Sequence, residues 1–192
     1  MFTLTEPSGH DVAEFISRQA NQSFSYAEVG ATQTNAPGGY TVDHNRVQLG
    51  RGADVFQRAV EALQHWRQFD LGWVTIATND VKIEKGAVVA VKAWACGMWT
   101  LNACRVVYVV DEDAPLTRFG FAYGTLLDHI ERGEERFLIE WNESDDSVWY
   151  DILAFSQPRH PLVRLGFPVA RMMQKRFARD SLSRMRSIAS HP

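Results

Sequence analysis

The chain has 192 residues, 45% of them apolar, and its 20 basic and 23 acidic residues give a formal net charge of −3. This composition excludes an intrinsically disordered chain, and the length predicts one domain that buries a core without a metal or disulfide staple. Eight of the 20 basic residues but only one of the 23 acidic residues follow Pro158, so a net charge of −10 precedes a net charge of +7. Such a split is compatible with a nucleic-acid or anionic-membrane tail, and equally with a helix that has a solvated basic face.

The first half of the chain predicts two helices and two extended segments. The first helix is an amphipathic stretch over residues 11–22, and the second begins with Asp54 or Gly52 as its N-cap. In the second helix apolar residues recur with helical spacing, namely Phe56, Ala59, Val60, Leu63 and Trp66. Extended segments are predicted over residues 26–33 and 40–49, on either side of a Pro-Gly-Gly turn.

From Trp73 onward the apolar period changes to two, which is typical of β-strands. Six strands are predicted over residues 73–77, 88–96, 101–110, 119–123, 136–141 and 148–155. Consecutive strands with helices at the flanks favour an α+β fold with an antiparallel sheet over an alternating βαβ fold. We expect residues 1–192 to form a single domain, with a core over residues 24–188.

Residues 168–188 predict a long C-terminal helix that is apolar on one side and basic on the other. We expect the apolar side to pack on the sheet, although Gln174, Asp180 and Ser181 interrupt it. These polar residues either face a hydrated cavity or turn to solvent where the helix bends. The basic face is either a solvated surface or a site for an acidic partner, and the isoelectric point of about 6.1 argues against nucleic acid.

Several classes of protein and of site find no support in the sequence. The N-terminal residues lack the features of a secretory signal, and no apolar run approaches the roughly 20 residues of a membrane span. Cys96 and Cys104 have no C-x-x-C spacing and are expected to be buried free thiols, while the six histidines show no metal-ligand spacing. P-loop, nucleophile-elbow and zinc-protease motifs do not occur. We therefore expect a cytoplasmic protein without a cofactor or metal, whose oligomeric state the sequence leaves open.

Aromatic residues crowd the predicted strands and are numerous enough to line an apolar pocket, although alternating aromatics more often form a core. The expected pocket walls are Trp94, Trp99, Tyr123, Trp141 and Tyr150, with Arg105 or Gln174 as polar anchors. Arg105 is equally expected to form a structural ion pair with Glu140 or Asp151, if it lies on the inner face of the sheet. His129 is either a surface loop residue or an acid–base catalyst that works with Glu134 or Glu140.

Five stretches of sequence, spread over nearly the whole chain, carry a resemblance to a known family. They are SYAEVGAT from Ser25, LGRGADVFQRAVEALQHWRQFDLGW from Leu49, CRVVYVVDE from Cys104, RFGFAYGTL with RGEERFLIEW between residues 118 and 141, and SVWYDILAFSQPRHPLVRLGFPVARMMQKRFARD from Ser147. Together they resemble uncharacterised protein family 0548, bacterial and plant proteins built on one domain of unknown function. The family pattern has Pro-Gly around a histidine where this chain reads Leu127-Asp128-His129-Ile130. The resemblance implies no established activity.

A weaker resemblance is to the helix-grip proteins, which include lipid-transfer START domains and polyketide cyclases, and it rests on the ending PRHPLVRLGFPVARMMQKRFARDSL. It implies an antiparallel sheet that curls round a long C-terminal helix and encloses an apolar cavity. The predicted function is therefore the binding of a small apolar or amphipathic molecule between sheet and helix. A small cyclase-like or hydrolase-like enzyme, and an interaction module that uses the basic helix face, are the alternatives.

Overall fold

Eight strands and three α-helices make up the part of the chain that the structure, a computed structural model, describes: residues 1–78, 81–113, 116–159 and 167–190. The strands are β1 (Phe2–Thr3), β2 (Thr41–Arg51), β3 (Val74–Ile76), β4 (Val88–Ala95), β5 (Met98–Glu112), β6 (Leu116–Thr125), β7 (Glu131–Asn142) and β8 (Ser147–Pro158). The helices are α1 (Gly9–Gln19), α2 (Ala53–Gln64) and α3 (Phe167–Ser190), with short 3₁₀ turns at Ala31–Gln33 and Arg67–Phe69.

The strands form one antiparallel sheet in the order β2-β8-β7-β6-β5-β4-β3, and β1 pairs with the first part of β5. Neighbours from β3 to β8 follow each other along the chain, whereas β2 joins the far edge beside β8. The register shifts between Val106 and Tyr108 and between Gln48 and Gly50, and such bulges increase the bend of a sheet. The predicted α+β fold with a curved antiparallel sheet and a long C-terminal helix is confirmed.

The helix starts follow from local capping. Ser8 and Asp11 form a capping box at α1, because the Ser8 hydroxyl accepts from the Asp11 amide (3.3 Å) while the Asp11 carboxylate accepts from the Ser8 amide (2.8 Å). At α2 the N-cap is Gly52, and Asp54 lies in the first turn, where its negative charge suits the helix dipole. Of the two predicted caps, Gly52 is therefore the one that the structure has.

One predicted extended segment, residues 26–33, is not a strand. It contains turns and the 3₁₀ turn Ala31–Gln33, and Gly30 has a φ of 90°. The segment does not pair as a strand because its backbone amides bond a side chain. The amides of Gly30 and Thr32 donate to the Glu134 carboxylate (2.7 and 3.0 Å) and not to a neighbouring strand. The segment lies on the convex face of the sheet, where Gly124 leaves room for the phenol of Tyr26.

The convex face also carries α1, whose Val12 and Phe15 pack against β4 and β5. The concave face carries α2 and α3. Its core is packed where α2 meets the second half of α3, and fully buried members include Leu63, Phe137 and Met185. Along α3 the first buried residue is Ala178, and the first half of the helix borders a cavity on the concave face.

The two cysteines differ in environment, although both are free thiols. Cys104 is buried as predicted, but the prediction was wrong for Cys96, which is exposed at the turn between β4 and β5 and has a φ of 53°. Two of the six histidines, His160 and His191, lie outside the described residues. Within the described ranges, none of the helices is long and apolar enough to cross a membrane.

Candidate functional site

A cavity of about 980 Å³ lies between the concave face of the sheet and the first half of α3, and it is partly open to solvent. Most of its wall is apolar and includes Phe69, Trp73, Val91, Ile152 and Phe177. The space exists because β4 and β8 carry small residues, Ala93 and Ala154, in this part of the concave face, whereas large side chains fill the part under α2. The cavity is therefore a consequence of the side-chain sizes along the strands.

A carboxyl–phenol pair lies on the cavity wall. The hydroxyl of Tyr123 on β6 donates to Oε2 of Glu135 on the neighbouring strand β7, at 2.8 Å. Burial raises the pKa of Glu135 from its ordinary 4.5 to about 7, and the hydrogen bond from Tyr123 opposes this shift only in part. Glu135 therefore binds or releases a proton near neutral pH.

A second polar group stands beside the pair, and it explains the polar interruption at Gln174. The amide of Gln174 on α3 donates to Oε1 of Glu131 (2.7 Å) and to the hydroxyl of Ser156 (3.1 Å), and its oxygen accepts from Arg171 (2.5 Å). Arg171 also forms two hydrogen bonds with the Asp43 carboxylate on β2 (2.5 and 2.7 Å). These contacts tie the first half of α3 to three strands at one end of the cavity.

The other two interruptions on α3 also have protein partners. The hydroxyl of Ser181 lies 3.1 Å from that of Tyr150 inside the core. Asp180 accepts from the indole of Trp73 (3.0 Å) and from the guanidinium of Arg179 (2.8 Å). Of the three residues, only Gln174 borders the cavity.

His129 also borders the cavity, in the connection between β6 and β7. Its Nδ1 lies 3.0 Å from both the amide nitrogen and the carbonyl oxygen of Glu131. Burial lowers the pKa of His129 from 6.5 to about 3, so its ring is neutral over the physiological range. His129 is therefore a half-buried loop residue that borders the cavity.

The backbone of Glu134 passes the cavity, but its carboxylate serves the convex face. It accepts hydrogen bonds from the Tyr26 hydroxyl (2.7 Å), the Gly30 amide, the Thr32 amide and the Thr32 hydroxyl. The residue is 3% exposed. Glu134 thus holds the segment 26–33 on the sheet.

The structure brings some of the predicted ligand contacts to the cavity and not others. Tyr123 and Gln174 border it, whereas Trp94, Trp99, Trp141 and Tyr150 do not. Trp94 and Trp99 pair with each other on the convex side of the β4–β5 hairpin (ring centroids 5.2 Å apart). Trp141 packs on Phe56 of α2, and Tyr150 is fully buried in the core. Alternation along a strand predicts on which face of the sheet a residue lies, but not whether that part of the face borders a cavity or is covered by a helix.

Arg105 and Glu140 also lie away from the cavity. The guanidinium of Arg105 donates to the carbonyls of Gln19 (3.4 Å) and Ala20 (3.0 Å), where it satisfies backbone acceptors at the C-terminal end of α1. Glu140 pairs with Arg46 on the convex face (2.7 Å), and Asp151 pairs with Arg136 (2.8 Å). Neither of the predicted carboxylate partners contacts Arg105: all three residues lie on the outer face of the sheet, but Glu140 on β7 and Asp151 on β8 are paired with other arginines, whereas Arg105 reaches the end of α1.

Three acidic residues of the site, Glu135, Glu131 and Asp43, were not predicted from the sequence. A signal for Glu135 is present, since it shares the alternation of Phe137 and Ile139, which point to the core. A charged residue at an inward position of a strand is unusual and marks a candidate site. In the described ranges, no group of three or more His, Cys, Asp or Glu side chains is arranged to hold a metal ion.

The raised pKa of Glu135 makes the stability of the protein depend on pH. Between about pH 4.5 and 7 the folded protein keeps a proton that the unfolded chain releases, so the contribution of Glu135 to stability falls as the pH rises through this window. We expect Glu135→Gln to gain about 3 kcal/mol in the free energy of unfolding, relative to wild type, on going from pH 4.5 to pH 8. Urea unfolding at both pH values measures the change.

The titratable groups that face Glu135 are Tyr123, Cys104, Tyr150, Glu131 and Asp43. They remain in the variant, so the difference from wild type isolates the missing carboxyl group. Glu140→Gln removes a carboxyl from the same strand outside the cavity and is expected to show no such pH-dependent gain. If the difference in free energy of unfolding between Glu135→Gln and wild type is the same at pH 4.5 and pH 8, the prediction is contradicted.

Comparison with solved structures identifies a similar fold. A hypothetical protein of Helicobacter pylori has a TM-score of 0.54 and 11% sequence identity, and the match covers 87% of this chain and 96% of that one. At this level of identity the likeness concerns the fold alone.

Comparison with sequences identifies the family. A family model described as a domain of unknown function, DUF1990, matches residues 25–184. A UPF0548 protein of Dictyostelium discoideum is 37% identical over an alignment of 204 positions, and the alignment covers 96% of this chain and 94% of that protein. A UPF0548 protein of Deinococcus radiodurans is 34% identical over an alignment of 193 positions, which covers 93% of this chain and 94% of that protein. The family resemblance is therefore confirmed, and the chain belongs to the UPF0548 proteins, which share the DUF1990 domain.

Proposed function

We propose that the protein binds a small apolar or amphipathic molecule in the cavity between the sheet and α3. The observation that carries this proposal is the cavity of about 980 Å³. Small-molecule sites span about 300–1,000 Å³ and combine apolar walls with a few placed polar groups. The apolar wall and the carboxyl and amide groups at one end fit that description, and they would orient an amphipathic molecule.

Two of the predicted ligand residues fit this proposal. The phenol of Tyr123 and the amide of Gln174 border the cavity from opposite sides, one on the sheet and one on α3. We propose both as ligand contacts. The geometry favours binding over catalysis by His129 with Glu134 or Glu140, because the last two carboxylates are engaged on the convex face.

Binding is tested with a neutral hydrophobic dye, N-phenyl-1-naphthylamine, whose fluorescence rises in an apolar site. Ala154→Phe and Ala93→Phe each place a ring inside the cavity, and we expect each to lower the affinity for the dye about tenfold, since overlap with a bound molecule costs about 1–3 kcal/mol. Native mass spectrometry of the purified protein provides a second measurement, with a co-purified small molecule as the expected result.

The matched control is Ala13→Phe, the same substitution at an exposed position of α1. It is expected to bind the dye as wild type does, and thermal unfolding checks that all three variants fold. If the dye does not bind, or binds all three variants equally well, the proposed function is wrong.

A further inference from the structure

The polar end of the cavity has acidic groups whose hydrogen-bond partners are neutral. Glu135 accepts from the Tyr123 hydroxyl, and Glu131 accepts from the Gln174 amide. Both carboxyl groups border the cavity. The second oxygen of Glu135, Oε1, has no hydrogen-bond partner among the described residues. A carboxyl group that keeps an open acceptor toward a cavity is available to a ligand.

The nearest cation does not balance these groups. The guanidinium of Arg171 makes two hydrogen bonds with the Asp43 carboxylate and a third with the oxygen of Gln174. One positive charge is thus bound to one negative charge. Arg171 also acts on Glu131 over a longer distance, but neither Glu131 nor Glu135 forms an ion pair with a cationic side chain of the described residues. The charged groups that act on Glu135 are Glu131 and Asp43, and both are acidic.

Three basic residues on α3 also line the cavity wall, but they are exposed. Lys175, Arg179 and Arg186 are exposed to solvent, and Arg179 is paired with Asp180 (2.8 Å). Among the described residues none of the three forms an ion pair with Glu131 or Glu135. Water and salt screen such exposed charges, whereas the two carboxyl groups lie inside.

We infer that the polar end of the cavity binds the protonated amine of an amphipathic ligand, with Glu135 and Glu131 as its acceptors and the apolar wall around its carbon skeleton. This inference rests on the proposed function and names the class of ligand. An alkylammonium group has three donors and one positive charge. One donor satisfies the open oxygen of Glu135, and the positive charge balances the negative charge of the two carboxyl groups. A carboxylate head would be repelled, and a hydroxyl head would gain a hydrogen bond without the charge.

The ligand class is tested with three probes that share one hydrocarbon chain, decylamine, decanol and decanoate, each displacing the neutral dye from the full-length protein at pH 7.5. We expect decylamine to bind about tenfold more tightly than decanol, as a charge-assisted hydrogen bond allows, and decanoate to bind least tightly. The amine stays protonated at this pH, because alkylamines titrate near pH 10.

Variants then assign the effect to the two carboxyl groups. Glu135→Gln and Glu131→Gln are each expected to lower the affinity for decylamine about tenfold while changing that for decanol less than about twofold. Glu140→Gln changes the net charge of the protein by the same amount outside the cavity and is expected to leave all three affinities unchanged. Because two separate variants carry the test, failure of one to fold does not remove it.

Protonation provides a further readout. Burial places the pKa of Glu135 at about 7, so its carboxyl group is neutral at pH 5.5 and ionised at pH 8.5. The facing groups are Tyr123, Cys104 and Tyr150 on neighbouring strands and the acidic pair Glu131 and Asp43, with Arg171 reaching from α3 to Asp43. Decylamine affinity is expected to rise with pH across this range, and decanol affinity to stay constant.

The outcomes separate the two proposals. If none of the three probes displaces the dye and the dye itself does not bind, the proposed function fails and the inference fails with it. If decanol and decanoate bind as tightly as decylamine, or if Glu135→Gln and Glu131→Gln leave decylamine binding unchanged, the cavity is a ligand site but the inference about amines is wrong.

Discussion

Glu134→Ala is expected to lower the free energy of unfolding by about 3–5 kcal/mol, because it removes the acceptor from a set of buried donors. Glu134 is 3% exposed, and its carboxylate accepts four hydrogen bonds from the segment 26–33. Without it, the phenol of Tyr26 and two backbone amides are left unpaired on the convex face. Urea unfolding followed by circular dichroism measures the loss.

The matched control is Glu140→Ala, on the same face of the same strand. Glu140 forms one ion pair, with the partly exposed Arg46, and such pairs contribute roughly 0–1 kcal/mol. We therefore expect a small loss for Glu140→Ala and a large one for Glu134→Ala. Equal losses would show that the buried hydrogen bonds of Glu134 do not hold the segment 26–33 in place.

Gly133→Ala is expected to cost at least about 4 kcal/mol and to lower the Tm by about 10 °C or more. Gly133 has a φ of 150°, which L-residues rarely adopt, and a Cβ there would overlap the backbone carbonyl oxygen of Phe155 on β8. The backbone cannot shift freely, because β7 pairs with β8 along its whole length, and the Thr125 hydroxyl bonds both the amide and the carbonyl of Gly133.

The control for this prediction is Gly9→Ala. Gly9 is the first residue of α1, and a Cβ there would meet no atom within 4 Å. Alanine at this position is expected to leave the stability unchanged or raise it by a few tenths of a kcal/mol. Differential scanning calorimetry of both variants compares the two glycines, and a Gly133→Ala variant as stable as wild type would contradict the prediction.

Contacts of the basic residues on α3 explain the uneven charge distribution of the sequence. Arg171 pairs with Asp43 and Arg184 with Asp70, so part of the positive charge of α3 meets acidic residues from the first half of the chain. Arg176 lies over the ring of Trp73, 4.5 Å from its centroid. The basic segment is thus integrated into the fold by ion pairs and by a cation–π contact.

The order of elements could be predicted from the sequence because hydrophobic periodicity and capping are local properties. The change of period at Trp73 predicted the sheet, and the two-sided pattern of residues 168–188 predicted α3 and its packing. Gln174 and Tyr123 were predicted as site residues on the same basis, since one interrupts an apolar helix face and the other belongs to an aromatic strand.

Only the tertiary structure decided which inward positions face a cavity and which face a packed core. Tyr150 and Glu135 both point to the concave face, but the second half of α3 covers Tyr150, whereas small residues opposite the first half leave Glu135 beside open space. Likewise, Glu134 and Glu135 are adjacent acids, and the donors that one meets on the convex face lie more than 100 residues earlier in the chain. Such pairings depend on side-chain volume and on contacts distant in sequence, which local periodicity does not encode.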